Sequence, residues 1–173
     1  MATEQKGKII TFYSYKGGTG RSMALANAAC LLAKHASSGK GVLMVDWDLE
    51  APGLHRFFRE YLGETAEKNA ETDQLLINQP GLIDLFLELE AITRQEAYQS
   101  KSRAKELFEK INLQRFILKT NIPSLFLLKA GRFDDNYSTQ VNTFQWDQLY
   151  RRVPWLIPAF AERLMREYHY ILI

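Results

Sequence analysis

Cysteine, net charge and long apolar runs are all scarce in this sequence, and each shortage excludes a class of protein. The 173 residues contain a single cysteine, Cys30, which excludes a disulfide framework and an iron–sulfur or other multi-cysteine metal cluster within one chain. Lysine and arginine number 22 and aspartate and glutamate 20, and the net charge of +2 does not indicate a strongly cationic nucleic-acid binder. The three histidines are scattered without the spacing of metal ligands.

Membrane and secretory classes are disfavoured by the lack of a suitable apolar segment. No apolar run approaches the roughly 20 residues that span a bilayer, and the N-terminal residues lack the apolar region of a secretory signal. Hydrophobic residues make up 46% of the chain and charged residues 24%, which is typical of soluble globular proteins. At this length the sequence indicates one domain over residues 1–173, and we expect it in the cytoplasm.

The first fifty residues carry the pattern of a strand–helix–strand unit. Residues 8–15 are rich in β-branched and aromatic side chains and predict a strand, which the following glycines end. Residues 21–37 predict a helix that is apolar on most faces and is therefore buried against a sheet. Residues 40–48 predict a second strand, whose continuous apolar character is typical of a central parallel strand. Together they predict a βαβ unit and an α/β fold with a mainly parallel sheet.

The rest of the chain predicts further elements around that unit. A loop with a short helix is expected over 50–62, and a polar excursion over 63–74. The remaining predicted elements are helices at 81–92, 94–111 and 158–169, a buried strand at 124–131, and a strand that begins at 170.

The segment "YSYKGGTGRS" at 13–22 has the composition of a phosphate-binding loop. Gly17, Gly18 and Gly20 let the backbone fold closely around an anion, because glycine tolerates positive φ and has no side chain. The loop leads from the first strand into the helix, whose free N–H groups and dipole favour a phosphate. Ser22 lies where phosphate loops have a magnesium-binding hydroxyl. A tight turn with Ser22 as the helix N-cap is the alternative interpretation.

A second, acidic motif follows the second strand in "VLMVDWDLEAPG" at 42–53. Asp46 and Asp48 lie at the carboxyl end of that strand, where ligands of open α/β sheets bind and where the glycine loop also lies. Carboxylates near Mg²⁺ and a γ-phosphate hold the metal-bound water or orient the attacking water. The alternative is that one of the two aspartates caps a turn before Pro52 and Gly53.

The two motifs together resemble those of the MinD/ParA family of ATPases. "KGGTGRS" is similar to the deviant phosphate loop of that family, K-G-G-x-G-K-[ST], and the D-x-D with its Pro-Gly turn is similar to the family's second motif. Arg21 replaces the second lysine, as in the branch of the family whose loop is K-G-G-x-G-R. Arginine keeps the positive charge and offers phosphate oxygens a planar fork. The resemblance implies a three-layer P-loop NTPase fold with a mainly parallel central sheet.

ATP and Mg²⁺ are the ligands that this resemblance implies. The residues implied to bind the nucleotide are Lys16, Gly17, Gly18, Thr19, Gly20, Arg21 and Ser22. Ser22 and Asp46 are implied at the magnesium. Lys16 is the signature lysine, which in that family contacts the phosphates of the partner in a nucleotide-sandwiched dimer. Lys16 and Arg21 would offset the charge that develops during in-line attack, and Asp48 would position the water.

The function implied is ATP hydrolysis as a switch for dimerisation or for binding a protein partner that the sequence does not identify. A nucleotide-binding interaction module with little or no turnover is the first alternative, because Arg21 replaces lysine and no Walker B aspartate is found. A ParA-type DNA-partitioning ATPase is the second alternative, and steeply salt-sensitive DNA binding would indicate it.

Two later segments extend the resemblance. Residues 127–138 are similar to the family's strand that ends in an Ala-Gly turn near the nucleotide, and "REYHYILI" is similar to the passage into the Walker B strand. We expect the N-terminal portion of a longer ATPase, which stops before the Walker B aspartate. The terminal strand should lie beside the first strand and leave an exposed sheet edge. Because such edges pair with other chains, we predict self-association, as in a homodimer.

Overall fold

One sheet forms the centre of the molecule. The computed structural model describes residues 6–36, 40–62 and 70–173, and within these ranges five strands pair in the order β1-β5-β2-β4-β3. The strands are β1 (Lys8–Ile10), β2 (Val42–Val45), β3 (Leu118–Lys119), β4 (Leu125–Leu128) and β5 (Tyr170–Leu172). All neighbouring pairs are parallel except β3 with β4, which is antiparallel. The parallel strands place their carboxyl ends at one edge of the sheet.

Eight α-helices in the same residues connect and cover the strands. They are α1 (Arg21–His35), α2 (Leu54–Phe57), α3 (Ala70–Asn78), α4 (Leu82–Thr93), α5 (Lys101–Glu109), α6 (Tyr137–Thr143), α7 (Trp146–Arg152) and α8 (Leu156–Glu167). Two 3₁₀ turns, Arg59–Tyr61 and Leu113–Phe116, lie between them. None of the described helices combines the length and the apolar character that crossing a bilayer requires.

The sheet has a hydrophobic core on each face. Along the buried strand β2, Leu43 and Val45 point to one core and Val42 and Met44 to the other, as the alternation of a strand requires. The first core contains buried residues of α4, α5, α7 and α8, and the second contains those of α1 and α2. The predicted three-layer α/β architecture with a mainly parallel sheet is therefore confirmed.

The strand–helix–strand unit at the start of the chain is confirmed, with the terminal strand inserted into it. β5 pairs with β1 through Lys8 and Tyr170 and with β2 through Val42 and Tyr170. The expectation that the terminal strand lies beside the first is therefore correct. β1 lies at one end of the described sheet, and its Ile9 and Ile10 are 36% and 37% exposed.

Two expectations about the first elements need correction. The strand predicted over 8–15 ends at Ile10, because the chain turns into the glycine loop, where the Ser14 hydroxyl donates to the Lys16 carbonyl at 2.7 Å. The helix predicted to be buried on most faces is buried on one, and Met23 and Leu31 are 55% and 59% exposed. A helix packed on one face of a sheet buries only the side that contacts the strands.

The middle of the chain contains more helix than the sequence predicted. The polar excursion expected over 63–74 lies outside the described residues up to 69, and from Ala70 the chain is the helix α3. The helix predicted over 94–111 begins at Lys101, because the Ser100 side chain caps it by accepting from the Arg103 amide. The short elements β3, α6 and α7 were not predicted.

Candidate functional site

A cavity of about 320 Å³ opens at the carboxyl edge of the sheet. The segments that follow β1, β2 and β5 and the first turn of α1 all contribute side chains to it. The lining residues are Thr11, Phe12, Tyr13, Arg21, Ser22, Leu25, Val45, Asp46, Trp47, Asp48, Leu54 and Ile173. The crevice outside the carboxyl ends of parallel strands is where open α/β sheets bind their ligands.

The glycine loop beside this cavity has a shape that only glycine adopts readily. Gly18 and Gly20 have φ values of 72° and 81°, in the left-handed region. Gly20 is the N-cap of α1, and its carbonyl accepts from the Ala24 amide at 2.8 Å. A hydrogen bond between the Ser14 and Thr19 hydroxyls, 2.9 Å apart, joins the two ends of the loop. The loop therefore leads directly into the N-terminus of α1, where unpaired N–H groups favour an anion.

Ser22 lies in the first turn of α1 and lines the cavity. Because Gly20 is the cap and the helix begins at Arg21, the alternative interpretation of Ser22 as the N-cap is wrong. The position leaves its hydroxyl beside the cavity that Asp46 and Asp48 also line.

Arg21 and Asp48 form an ion pair across the cavity. Arg21 Nη2 donates to Asp48 Oδ2 at 2.7 Å, and each side chain is about one third exposed. The other oxygen of Asp48, Oδ1, accepts from the Ala51 amide at 3.2 Å. Two residues that the sequence assigned to separate motifs therefore contact each other directly.

Asp46 is the buried carboxylate of the site, with 4% of its surface exposed. Its Oδ2 accepts from the amides of Gly53 and Leu54 at 3.1 and 3.0 Å, so it caps the turn that leads into α2. Burial raises the pKa of Asp46 to about 6, and the backbone amides that it accepts from oppose that shift. The turn-capping alternative is therefore correct for Asp48, whose Oδ1 accepts from the Ala51 amide just before Pro52, while Asp46 caps the start of α2 and also lines the cavity.

Residues 16–20 of the glycine loop do not line the cavity that contains Asp46, and Arg21 lines a second cavity as well. Thr19, Gly20 and Arg21 line a second, open cavity of about 310 Å³ together with Phe12, Tyr13, Ser14 and Ala24. Lys16, Gly17 and Gly18 are exposed at the tip of the loop. The structure thus brings Arg21, Ser22 and the two aspartates together and leaves Lys16 facing outwards.

Two residues near the site were missed by sequence reasoning. The Tyr137 hydroxyl donates to the Leu49 carbonyl, next to Asp48, at 2.7 Å. Lys129, fully buried just beyond β4, donates to the Gly131 carbonyl, and burial lowers its pKa to about 8. The similarity of residues 127–138 to a nucleotide-proximal turn was a signal for this segment, but it did not single out either side chain.

The donor set suits one kind of metal better than others. Within the described residues, no group of three or more histidine, cysteine or acidic side chains could hold a metal ion by itself. Ser22 and Asp46 instead offer one hydroxyl and one carboxylate at the same cavity. Mg²⁺ is commonly bound by one or two such protein ligands together with phosphate oxygens and water.

Comparison with known proteins gives a sequence match over part of the chain and a similar fold over nearly all of it. No family profile matches the chain. It is 34% identical over 77 residues to an uncharacterised ATP-binding protein of Methanocaldococcus jannaschii, an alignment that covers 42% of this chain and 28% of that protein.

Two crystal structures have a similar fold. A plasmid partition protein of Borrelia burgdorferi matches with a TM-score of 0.53 and 22% identity, over 97% of this chain and 55% of that one. The chimeric protein CapA2B2 matches with a TM-score of 0.50 and 20% identity, over 99% of this chain and 53% of that one. The chain therefore has the α/β fold of these proteins and spans about half their length.

Proposed function

We propose that the chain binds ATP with Mg²⁺ at the carboxyl edge of the sheet and hydrolyses it, and that the nucleotide state controls dimerisation or partner binding. The observation that supports this proposal most is the convergence of Arg21 and Ser22, at the start of α1, with Asp46 and Asp48 on one cavity. The ATP-binding description of the Methanocaldococcus jannaschii relative agrees with it.

The glycine loop would bind the phosphates. The backbone N–H groups of residues 17–22 lie in the loop and in the first turn of α1, and the helix dipole favours negative charge at that helix N-terminus. A Cβ atom at Gly17 would meet nothing within 4 Å, so packing within the chain does not require glycine there. A ligand that approaches the backbone closely would require glycine there, because a side chain would block it. Lys16, exposed at the loop tip, would contact the phosphates of a second copy.

Ser22 and Asp46 would hold Mg²⁺. When bound there, the ion would neutralise charge on the phosphate oxygens. Asp46 is already fixed by the amides of Gly53 and Leu54, so its carboxylate is held in place before any ligand arrives. Such preorganisation is what a site needs in order to bind without first rearranging its own residues.

Arg21 has two anionic partners in this proposal. It binds Asp48 in the structure, and its guanidinium also lies beside the cavity that would receive the phosphates. A γ-phosphate would therefore compete with Asp48 for the guanidinium. Once Arg21 turns to the phosphate, the released carboxylate of Asp48 could orient the attacking water.

Arg21→Ala tests the proposal. A hydrogen bond to a charged group contributes about 1.5–3 kcal/mol, so we expect the variant to bind ATP at least about tenfold more weakly. Arg21→Lys, which keeps the charge, should bind within a few-fold of the wild type. Equilibrium binding of ATP measures both, with Arg94→Ala, an exposed arginine at the C-cap of α4, as the matched control. Equal affinity in Arg21→Ala and Arg94→Ala would contradict the proposed site.

A nucleotide-binding module without useful turnover is the second candidate function. The observation that favours it is the Arg21–Asp48 ion pair, which occupies two of the three residues assigned to the chemical step. Phosphate release measured alongside ATP binding separates the two functions. Binding with release supports the ATPase, and binding without release supports the module.

A further inference from the structure

We propose that Tyr137 is a positioning residue of the nucleotide site, because its hydroxyl fixes the segment that carries Asp48. This inference rests on the function proposed above and names a residue to which neither motif pointed. Tyr137 is the first residue of α6, and its hydroxyl reaches the Leu49 carbonyl across 88 residues of sequence at 2.7 Å.

The segment 46–54 depends on contacts that are mostly its own. The Asp46 amide donates to the Leu128 carbonyl at 2.9 Å, which continues the pairing of β2 with β4. Beyond that point the backbone amides donate within the same segment, from Leu49 to the Trp47 carbonyl and from Ala51 to the Asp48 carboxylate, and Arg21 of α1 pairs with the Asp48 side chain. The Tyr137 hydroxyl therefore supplies a tie from another element at the residue next to Asp48.

Tyr137 can supply this tie because its ring is held firmly. A Cβ atom at Gly131 would lie 2.7 Å from the ring, so the ring occupies the space that this glycine leaves. Phe133 packs edge-on against it, with ring centroids 5.1 Å apart. The Tyr137 amide donates to the Asp134 carbonyl at 3.1 Å, which places the residue at the end of the same turn.

The segment 129–134, which leads to Tyr137, is hydrogen-bonded to the N-terminus of α4. Asp84 Oδ2 accepts from the amides of Gly81 and Arg132, both at 2.8 Å. The amides of Leu82 and Ile83 donate to the carbonyls of Lys129 and Ala130. The frame behind the Tyr137 hydroxyl thus combines a helix N-terminus with the end of a buried strand.

The surroundings of Tyr137 also keep its hydroxyl a donor. Burial, and then the carboxylates of Asp46, Asp48 and Asp84, raise the pKa of Tyr137 well above its ordinary value. The hydroxyl therefore stays protonated and can donate to Leu49 throughout the range in which proteins work. Tyr137 is absent from the cavity lining, so it would act through Asp48 and would not touch the nucleotide.

The test is Tyr137→Phe in the full chain, which keeps the ring and its packing and removes only the hydroxyl. The matched control is Tyr98→Phe, a buried tyrosine whose hydroxyl accepts from Lys110 Nζ at 3.0 Å among residues that do not line the cavity. Hydrogen exchange over residues 47–54, ATP affinity and the rate of phosphate release are measured for both variants and the wild type.

We expect Tyr137→Phe to exchange the amides of 47–54 faster, to bind ATP within about twofold of the wild type, and to release phosphate about fivefold more slowly, as the loss of one hydrogen bond implies. The control should change none of the three. Unchanged exchange, or an equal loss of binding and rate, would overturn the positioning role. A wild type that binds no ATP would instead overturn the proposed function, while the exchange measurement still decides whether Tyr137 fixes the segment.

Discussion

At the scale of single residues, the sequence identified the chemical groups of the site but not their contacts. The glycine loop and the D-x-D motif pointed to Arg21, Ser22, Asp46 and Asp48, and all four line one cavity. The ion pair between Arg21 and Asp48 could not be predicted, because 27 residues of sequence separate the two and their distance depends on the packing of α1 against β2. Tyr137 was missed for the same reason, since its contact with Leu49 exists only in the folded chain.

Competition between Asp48 and phosphate for Arg21 leads to an unusual prediction for Asp48→Asn. The variant keeps an oxygen for the Ala51 amide but loses the charge that binds Arg21. We expect it to bind ATP a few-fold more tightly than the wild type, because the guanidinium is free, and to release phosphate more slowly. Calorimetry and a phosphate-release assay measure the two effects. Weaker binding in Asp48→Asn would rule out the competition.

His55 gives a prediction about stability and pH. Burial, together with Arg56 and Lys129, lowers the pKa of His55 to about 4, below the ordinary value of about 6.5. Between these two values the unfolded chain binds more protons at His55 than the folded one, so the contribution of His55 to the free energy of unfolding falls as the pH falls from about 6.5 to about 4, while Asp46, whose pKa is raised to about 6, contributes in the opposite direction. His55→Gln should reduce this slope in urea titrations, and His35→Gln, at the exposed end of α1, should retain it. Equal slopes in the wild type and His55→Gln would contradict the prediction.

At the scale of elements, the predicted bounds were most accurate for segments with a continuous or periodic apolar pattern and a glycine at one end. β2, β4 and α4 lie close to their predicted positions, because each is a continuous or periodic apolar segment bounded by glycine. β1 and α5 were predicted too long, since the chain leaves the sheet for the glycine loop after β1, and the Ser100 side chain caps the start of α5. The short elements β3, α6 and α7 carry too few residues for a period to show.

The start of α2 depends on one carboxylate. In Asp46→Ala the amides of Gly53 and Leu54 would lose their acceptor, and the Leu54 contact lies in a buried environment. Since each buried amide left without a partner costs about 1–3 kcal/mol, we expect the free energy of unfolding to fall by roughly 2–4 kcal/mol. Urea denaturation measures this loss. Asp147→Ala, an exposed aspartate on α7, is the control, and a loss as small as in that variant would show that Asp46 has no capping role.

At the scale of the whole molecule, we predict that the chain associates through the exposed edge at β1. β1 pairs with β5 on one side, and its partly exposed Ile9 and Ile10 lie next to the glycine loop. An exposed edge strand offers N–H and C=O groups for pairing with another chain. This geometry agrees with the predicted self-association.

Sedimentation at increasing concentration tests that association. We expect the wild type to self-associate and Ile10→Lys to do so far more weakly, because a charge on an edge strand opposes pairing. Ile157→Lys, on the exposed side of α8, is the matched control and should associate as the wild type does. A wild type that stays a monomer at high concentration would contradict the prediction.

The claim on which the others depend is that ATP binds between the glycine loop and the D-x-D segment. Following the backbone amide resonances of the wild type during a titration with ATP and Mg²⁺ tests it most directly. We expect saturable shifts for the amides of 17–22 and of 46–54, where the loop would bind phosphate and Arg21 would leave Asp48. A titration that reaches high ATP concentration and leaves both segments unshifted would contradict the proposed function.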